Sequence, residues 1–402
     1  MKFALVEPKI AGPKRCRWGD QCRRPDRCNM DHTEYPPVVI KEDTTTYFLE
    51  TRSHDRDVFT VLRRTLEENN FIRLDVPKEQ VVHHNVTLLW GTVYPKYPLP
   101  KSCIINHFPN SHQLTSKNRM SINLASNFDY LPKSFNLPEQ LQEFQEHQDQ
   151  NIWICKPVAK GCGHEVRVVT RQELMNDYNP HKNPEGKSKR VVVSEYIRNP
   201  LLIDDKKVDM RMYVLLKNGD SIFLYDDAIV RSASEAYSNN VDTLNNSFIH
   251  ITNNSINNKK ILHEKIQMGD QNNCYGFYGN KSYKELIKNL NVDPSQQLHD
   301  LVRCAVNATI YNKKYEDELS DIGDSFRTMK HRCFELLGFD VLFDENMKPY
   351  LLEVNGMPDL NGMSKNGFAV IKVDFDIKSR MFAECMNIVF SDHFELTGFT
   401  KL

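Results

Sequence analysis

Asp340, inside the apolar run 338–343, and Glu353 with Asn355, inside the run 349–356, are separated by a short polar turn. A hairpin alternates side chains between its faces, so Asp340 on one strand and Glu353 and Asn355, two apart on the next, point the same way. Two carboxylates and an amide oxygen form a hard donor set that suits Mg2+ rather than Zn2+. Because Mg2+ is usually held by a few protein oxygens together with substrate phosphates, the triad points to nucleotide phosphoryl chemistry.

Cations that suit the same chemistry lie upstream. Residues 152–157 read as a buried strand that delivers Lys156 beside a turn containing Gly161 and Gly163. Glycines let backbone N–H groups approach phosphate oxygens closely and a lysine adds charge, although the spacing is not that of a Walker loop. Lys207, Asp209 and Arg211 alternate along another strand, with Val208, Met210 and Met212 between them. Period two sets the three charges on one face as a charged wall for a cleft, and a solvent-facing row of ion pairs is the plain alternative. Arg231 closes a further strand, and His250 with Thr252 and Asn253 adds small polar groups. Taken singly, each of these is an ordinary solvated or structural side chain.

The elements that must position these residues are legible from periodicity. A strand at 45–50, an amphipathic helix over 55–69 with Val58, Val61, Leu62 and Leu66 on one face, and a strand at 86–90 predict a βαβ unit. Apolar runs at 191–193, 212–216, 222–225 and 339–343 predict a sheet that carries the site, with helices over 296–311 and 378–390. The asparagine-rich piece 253–258 and the acidic piece 316–324 read as exposed loops. The divisions expected are a cysteine module at 1–35, the βαβ domain at 40–98, a central domain at 99–190 and a C-terminal domain at 191–402. The fold class is α/β, of α+β arrangement.

The order of these segments resembles the tubulin tyrosine ligase-like family, whose catalytic region has the ATP-grasp fold. The resemblance rests on Leu89-Trp90, on residues 106–110 with 114–117, and on 153–163, 196–211, 225–237, 250–253 and 334–358, and covers roughly 45–390. It implies that Lys156 grips ATP phosphates, that the backbone around Glu195 and Ile197 holds adenine, and that Lys207 is a second ATP lysine. By the same resemblance Asp209, Arg211 and Arg231 line the nucleotide and amino-acid pocket, Thr252 and Asn253 belong to the ATP site, and Asp340, Glu353 and Asn355 bind magnesium. The implied reaction joins a free amino acid to a protein carboxylate, with tubulin as acceptor, through an acyl phosphate. Lys156, Arg211 and Arg231 would act on the reacting groups. Residues 231–235 and 353–358 look nearer to the tyrosine ligase proper than to its glutamate- and glycine-adding relatives, so tyrosine is the favoured donor and glutamate the second.

Three of the ten cysteines fall in the first thirty residues, and Cys16, Cys22, Cys28 and His32 have the spacing of a tetrahedral zinc site. The module resembles CCCH zinc fingers, and its arginines around Trp18 suit single-stranded RNA or an acidic protein tail. The net charge of −1 gives no global field for steering a polyanion, so any such partner must meet a local patch. No window is apolar and long enough to span a bilayer, and residues 1–13 lack the apolar centre of a signal peptide, which predicts a cytoplasmic location, with cytoskeletal association and nuclear access left open. Other readings are an ATP-grasp ligase for a non-tubulin carboxylate, and an RNA-binding zinc-finger protein with a non-catalytic ligase-like body.

Overall fold

The structure, a computed structural model, describes residues 45–402 apart from 51–59, 75, 77–80, 82, 92–98, 101, 109, 127, 149–150, 159–162, 164, 179–188, 258–279, 289–291, 318–331, 362–371 and 392–393. The four expected zinc ligands Cys16, Cys22, Cys28 and His32 lie outside the described residues.

The first sheet is parallel. Strands β1 (Thr46–Glu50), β2 (Ile72–Arg73), β3 (Leu88–Gly91) and β4 (Ile104–Ile105) pair in the order β2-β1-β3-β4. Helix α1 (Thr60–Glu68) crosses between β1 and β2, burying Val61, Leu62 and Leu66 completely. Each such fully buried aliphatic side chain stabilises by roughly 1.5–3 kcal/mol. Helices α2 (His112–Thr115) and α3 (Lys117–Asn123) follow.

The second sheet is antiparallel and combines β5 (Ser134–Leu137), β6 (Ile152–Pro157), β7 (Arg167–Thr170) and β8 (Val191–Glu195) in the order β5-β8-β6-β7. Its strand β8 was expected to open the C-terminal sheet. Instead Val191–Glu195 pairs on both sides within this one, because Val191 and Val193 pack with Trp153, Phe135 and Phe144 under α4 (Leu141–Glu146) and α5 (Arg171–Asp177). Alternation leaves Ile152, Ile154 and Lys156 on the opposite face of β6.

The third sheet contains β9 (Leu202–Ile203), β10 (Lys206–Lys217), β11 (Ser221–Ser232), β12 (Lys281–Ser282), β13 (Phe334–Phe343), β14 (Pro349–Asn355) and β15 (Phe399–Lys401), with the main path β12-β11-β10-β13-β14. One face of β10, with Met210, Met212, Val214 and Leu216, packs on helix Ser295–Ala308 through Leu298, Leu301, Val302 and Val306. The other face carries Tyr213 and Leu215 under helix Lys372–Phe390. Helix α6 (Ser247–His250) leads into a short helical turn at 254–257. That turn corrects the exposed-loop expectation for 253–257, residue 258 lying outside the described residues. Asn257 is buried, donating to the Ile251 carbonyl at 2.7 Å and accepting from the Ser234 backbone N–H at 2.9 Å, so its amide is a structural tie rather than a solvated one.

Candidate active site

The face of β10 that buries Leu215 and Tyr213 continues, two residues at a time, into Arg211, Asp209 and Lys207. Lys207 and Asp209 are each only 6% exposed, which rules out a solvent-facing row of ion pairs. Register places Asp209 opposite Arg231 on β11 and Arg211 opposite Asp340 on β13. Arg231 donates from Nε and Nη2 to the two Asp209 oxygens at 2.7 and 2.8 Å, while Arg211 grips Asp340 in the same forked way at 2.5 and 2.9 Å. The Arg231 Nη2 also lies 3.2 Å from Asp340 Oδ1, and the Thr252 hydroxyl donates to Asp209 at 2.7 Å. The result is a buried ladder of alternating charge, which two-pronged guanidinium–carboxylate pairing makes both strong and directional. Burial penalises the Asp340 charge, yet Arg211 and Arg231 outweigh it and hold the carboxyl down to about 2. Gly338 lies two residues before Asp340 on the same face, and a Cβ there would sit 2.8 Å from Arg211 Cδ. Only the missing side chain lets the arginine cross β13 to its partner.

Strand β14 completes the set through a bulge. Asp340 pairs with Glu353, whereas Val341 pairs with Leu351, leaving Leu352 as the extra residue. The bulge sends the side chains of Glu353 and Asn355 to the Asp340 face while Leu351 and Val354 stay in the core. The Asn355 amide lies 3.3 Å from Glu353 Oε1 and 3.5 Å from Asp340 Oδ2. Three oxygen-bearing groups thus converge around one small volume, the arrangement a hard divalent cation needs. Among the described residues no group of three His, Cys, Asp or Glu side chains is placed to hold a metal ion; two carboxylates and an amide are a hard donor set of the kind Mg2+ accepts beside phosphates and water.

The central sheet faces this cluster. Lys156, at the end of β6, reaches across to donate from Nζ to the Leu352 carbonyl at 2.9 Å, joining the two sheets at the bulge. Burial lowers its proton affinity, with Glu353 opposing the fall and Lys117 adding to it. Lys117, the first residue of α3, sits 3.4 Å from Glu353 Oε2. Lys207 donates to the Tyr196 hydroxyl and to the His250 carbonyl, both at 3.1 Å, and burial pushes its ammonium down to about 7 despite Asp209. Glu195 and Ile197 flank Tyr196 at the end of β8. The Glu195 carboxylate turns away to His147 Nε2 at 3.0 Å and its N–H donates to the Lys133 carbonyl. Asn253 caps the 254–257 turn through Ser255. Gly163, at φ +71°, lies so close that a Cβ would meet Asn253 Cγ at 3.2 Å, so what is described of the glycine turn borders Asn253.

Comparison with known proteins decides the family. The model of the tubulin-tyrosine ligase family matches residues 100–395. Tubulin polyglutamylase TTLL5 of Homo sapiens is 33% identical over 304 residues, 71% of this chain and 22% of that protein. The chain belongs to the tubulin-tyrosine ligase family. Tubulin monoglutamylase TTLL4 of Mus musculus is 30% identical over 298 residues, 71% of the chain and 23% of the relative, and probable tubulin polyglutamylase ttll-9 of Caenorhabditis elegans is 26% identical over 329 residues, 76% and 72% of the two. The chain spans about a fifth of the length of the first two. For this member of the tubulin-tyrosine ligase family, whose relatives here are named as glutamylases, the preference for tyrosine read from residues 231–235 and 353–358 gains no support.

Sequence reasoning gave no role of their own to Lys117, within the resembling segment 114–117, or to His250, named beside Thr252 and Asn253. Lys117 carries no local signal, since it reaches Glu353 only through the packing of α2 and α3 on β14. His250 had one: it precedes Thr252 and Asn253 by two and three residues and ends a short helix that delivers all three.

Proposed function

We propose that the chain is an ATP- and Mg2+-dependent ligase that joins the amino group of glutamate to a side-chain carboxylate of a tubulin tail. The observation that carries the reading is the meeting of Lys156 with the Asp340, Glu353 and Asn355 triad between two sheets, with Lys207 beside Asp209 in the charged ladder, in a chain whose family and relatives modify tubulin by name. Lys156 and Lys207 would hold the triphosphate, the Glu195 carbonyl and Ile197 N–H the adenine, and Asp340, Glu353 and Asn355 the Mg2+. That ion supplies charge neutralisation on the phosphoryl group when bound. An acceptor carboxylate oxygen attacks the γ-phosphorus, the bond to ADP breaks, and an acyl phosphate forms. The amine of glutamate then attacks the acyl carbon, inorganic phosphate leaves and a proton is released. Arg231 and Arg211, held in the charged ladder, would present guanidinium edges to the donor carboxylate and the transferring phosphoryl group.

The test incubates the purified chain with ATP, Mg2+ and tubulin, with labelled glutamate, tyrosine or glycine in parallel. Label from glutamate on tubulin is expected; label from tyrosine alone, or none on tubulin, overturns the donor or the acceptor. Lys117 is expected to act beside Glu353, on the phosphoryl group rather than on the nucleotide's base. Lys117→Ala should therefore lower kcat about tenfold or more with little change in ATP Kd, since Lys156 and Lys207 remain. An unchanged kcat would remove Lys117 from the site.

A further inference from the structure

Behind Lys207 the hydrogen bonds form a chain whose direction is fixed from both ends. As an ammonium Lys207 only donates, so Tyr196 Oη accepts from Nζ, and the Tyr196 proton lies within reach of His250 Nδ1, 2.9 Å away, and of the neighbouring Tyr237 hydroxyl. At the far end the Thr243 hydroxyl donates to the Asn240 carbonyl at 2.7 Å, so it accepts from His250 Nε2, 3.2 Å away. Both ends fit the same imidazole: neutral, protonated on Nε2 and bare on Nδ1. Burial and the charge of Lys207 lower His250 to about 4, which keeps it in that state at neutral pH. The ring is locked as well as charged correctly, lying edge-on to the rings of Tyr196 and Tyr237 at 5.6 and 5.8 Å. The backbone of His250 contributes again, because its carbonyl accepts the second N–H of Lys207.

We propose that Tyr196 and His250 are positioning residues, forming with Thr243 a one-directional hydrogen-bond relay that fixes the ammonium of Lys207 for the nucleotide triphosphate. The role given to Lys207 rests on the proposed ligase reading; the relay itself does not. Two of the three ammonium N–H bonds are committed to Tyr196 and the His250 carbonyl, so the third is held in one direction. The Tyr196 ring also lies under the ammonium, 4.3 Å from centroid to Nζ. The groups facing Lys207 are Asp209 on its own strand and Lys156 from β6, with the Tyr196 hydroxyl at the end of β8 and the His250 carbonyl from α6 as its acceptors. Asp209 favours the ammonium and Lys156 opposes it, and with burial the balance falls near neutral pH. The hydroxyl of Tyr196, as an acceptor from Nζ, favours the charged form of Lys207.

The experiment follows the 13Cε resonance of Lys207 against pH in the full chain labelled with 13C-lysine, assigned from the spectrum of Lys207→Gln, together with ATP Kd by calorimetry. Tyr196→Phe keeps the ring and removes one acceptor, so the Lys207 midpoint is expected to fall by about one pH unit and ATP Kd at pH 7.5 to rise roughly fivefold to tenfold. A midpoint equal to wild type in a folded Tyr196→Phe protein overturns the relay. A midpoint that falls while ATP Kd stays constant leaves the relay standing and refutes the nucleotide role of Lys207. Should Tyr196→Phe fail to fold, His250→Phe carries the same test, because it removes the Nδ1 acceptor of Tyr196 while the residue 250 carbonyl still receives Lys207: a smaller fall supports the relay and no fall overturns it.

Discussion

Glu353→Gln is expected to cut ATP-dependent amino-acid incorporation by roughly 10²–10³-fold and to melt within a few degrees of wild type. The two halves of this expectation have separate causes. The carboxylate is partly exposed, 26%, and its contacts are Lys117 at 3.4 Å and the Asn355 amide at 3.3 Å. An ion pair of that exposure contributes about 1 kcal/mol or less, and Gln keeps the volume and can still hydrogen-bond Asn355. Folding therefore loses little. Chemistry loses much more, because the substitution removes a negative charge from a three-oxygen donor set in which only Asp340 supplies another, and Asp340 is already shared with Arg211 and Arg231. Labelled glutamate incorporation beside a thermal melt separates the two effects. Turnover within threefold of wild type would mean that Glu353 does not hold the ion.

How far the sequence could lead depended on the range of the interactions involved. Period-two alternation put Lys207, Asp209 and Arg211 on one side of their strand and Asp340, Glu353 and Asn355 on one side of theirs, and strand register makes these a single face of the third sheet, since alternation is a local property that tertiary packing preserves. The parallel order of β1 and β3 was equally visible, because a helix between two apolar strands allows few arrangements. What was not visible is non-local. The bulge at Leu352 changes which strand atoms face Lys156, yet nothing in Tyr350-Leu351-Leu352-Glu353 marks an extra residue. The apolar run 191–193 looked like the start of the C-terminal sheet because valines fit any buried strand; only Trp153 and Phe135, far away in the chain, assign it to the central one. The donor was least legible of all, since it depends on pocket shape.

The buried pair His107–Glu335 makes the last point, and the largest expected effect on stability. Glu335 lies on β13, wholly buried, on the face opposite Asp340; its Oε1 is 3.0 Å from His107 Nδ1, and its Oε2 accepts from the Phe108 N–H at 3.1 Å and from the Ser111 hydroxyl. His107 Nε2 reaches the Gly91 carbonyl at 2.7 Å, so a ring that donates at both nitrogens is the protonated one. Burial works against that charge, but Glu335 outweighs it and the His107 proton affinity is raised. Glu335→Ala leaves an imidazolium without its counter-charge and the Phe108 N–H without its acceptor, while the Ser111 hydroxyl keeps the Phe108 carbonyl at 2.7 Å, and is expected to cost about 3–5 kcal/mol. The sign of the pH dependence is fixed as well. A histidine whose folded pKa is raised contributes stability that is complete below its unfolded value, near 6.5, and is lost as pH climbs through the folded one. The melting gap between wild type and Glu335→Ala should accordingly be widest near pH 6 and narrow toward pH 9. The same loop leads into α2 and α3 and so to Lys117, which means the variant should lose incorporation faster than folded protein as temperature rises. A gap independent of pH, or below about 1 kcal/mol, would show that the loop is held by packing alone and that the charged pair does not anchor it.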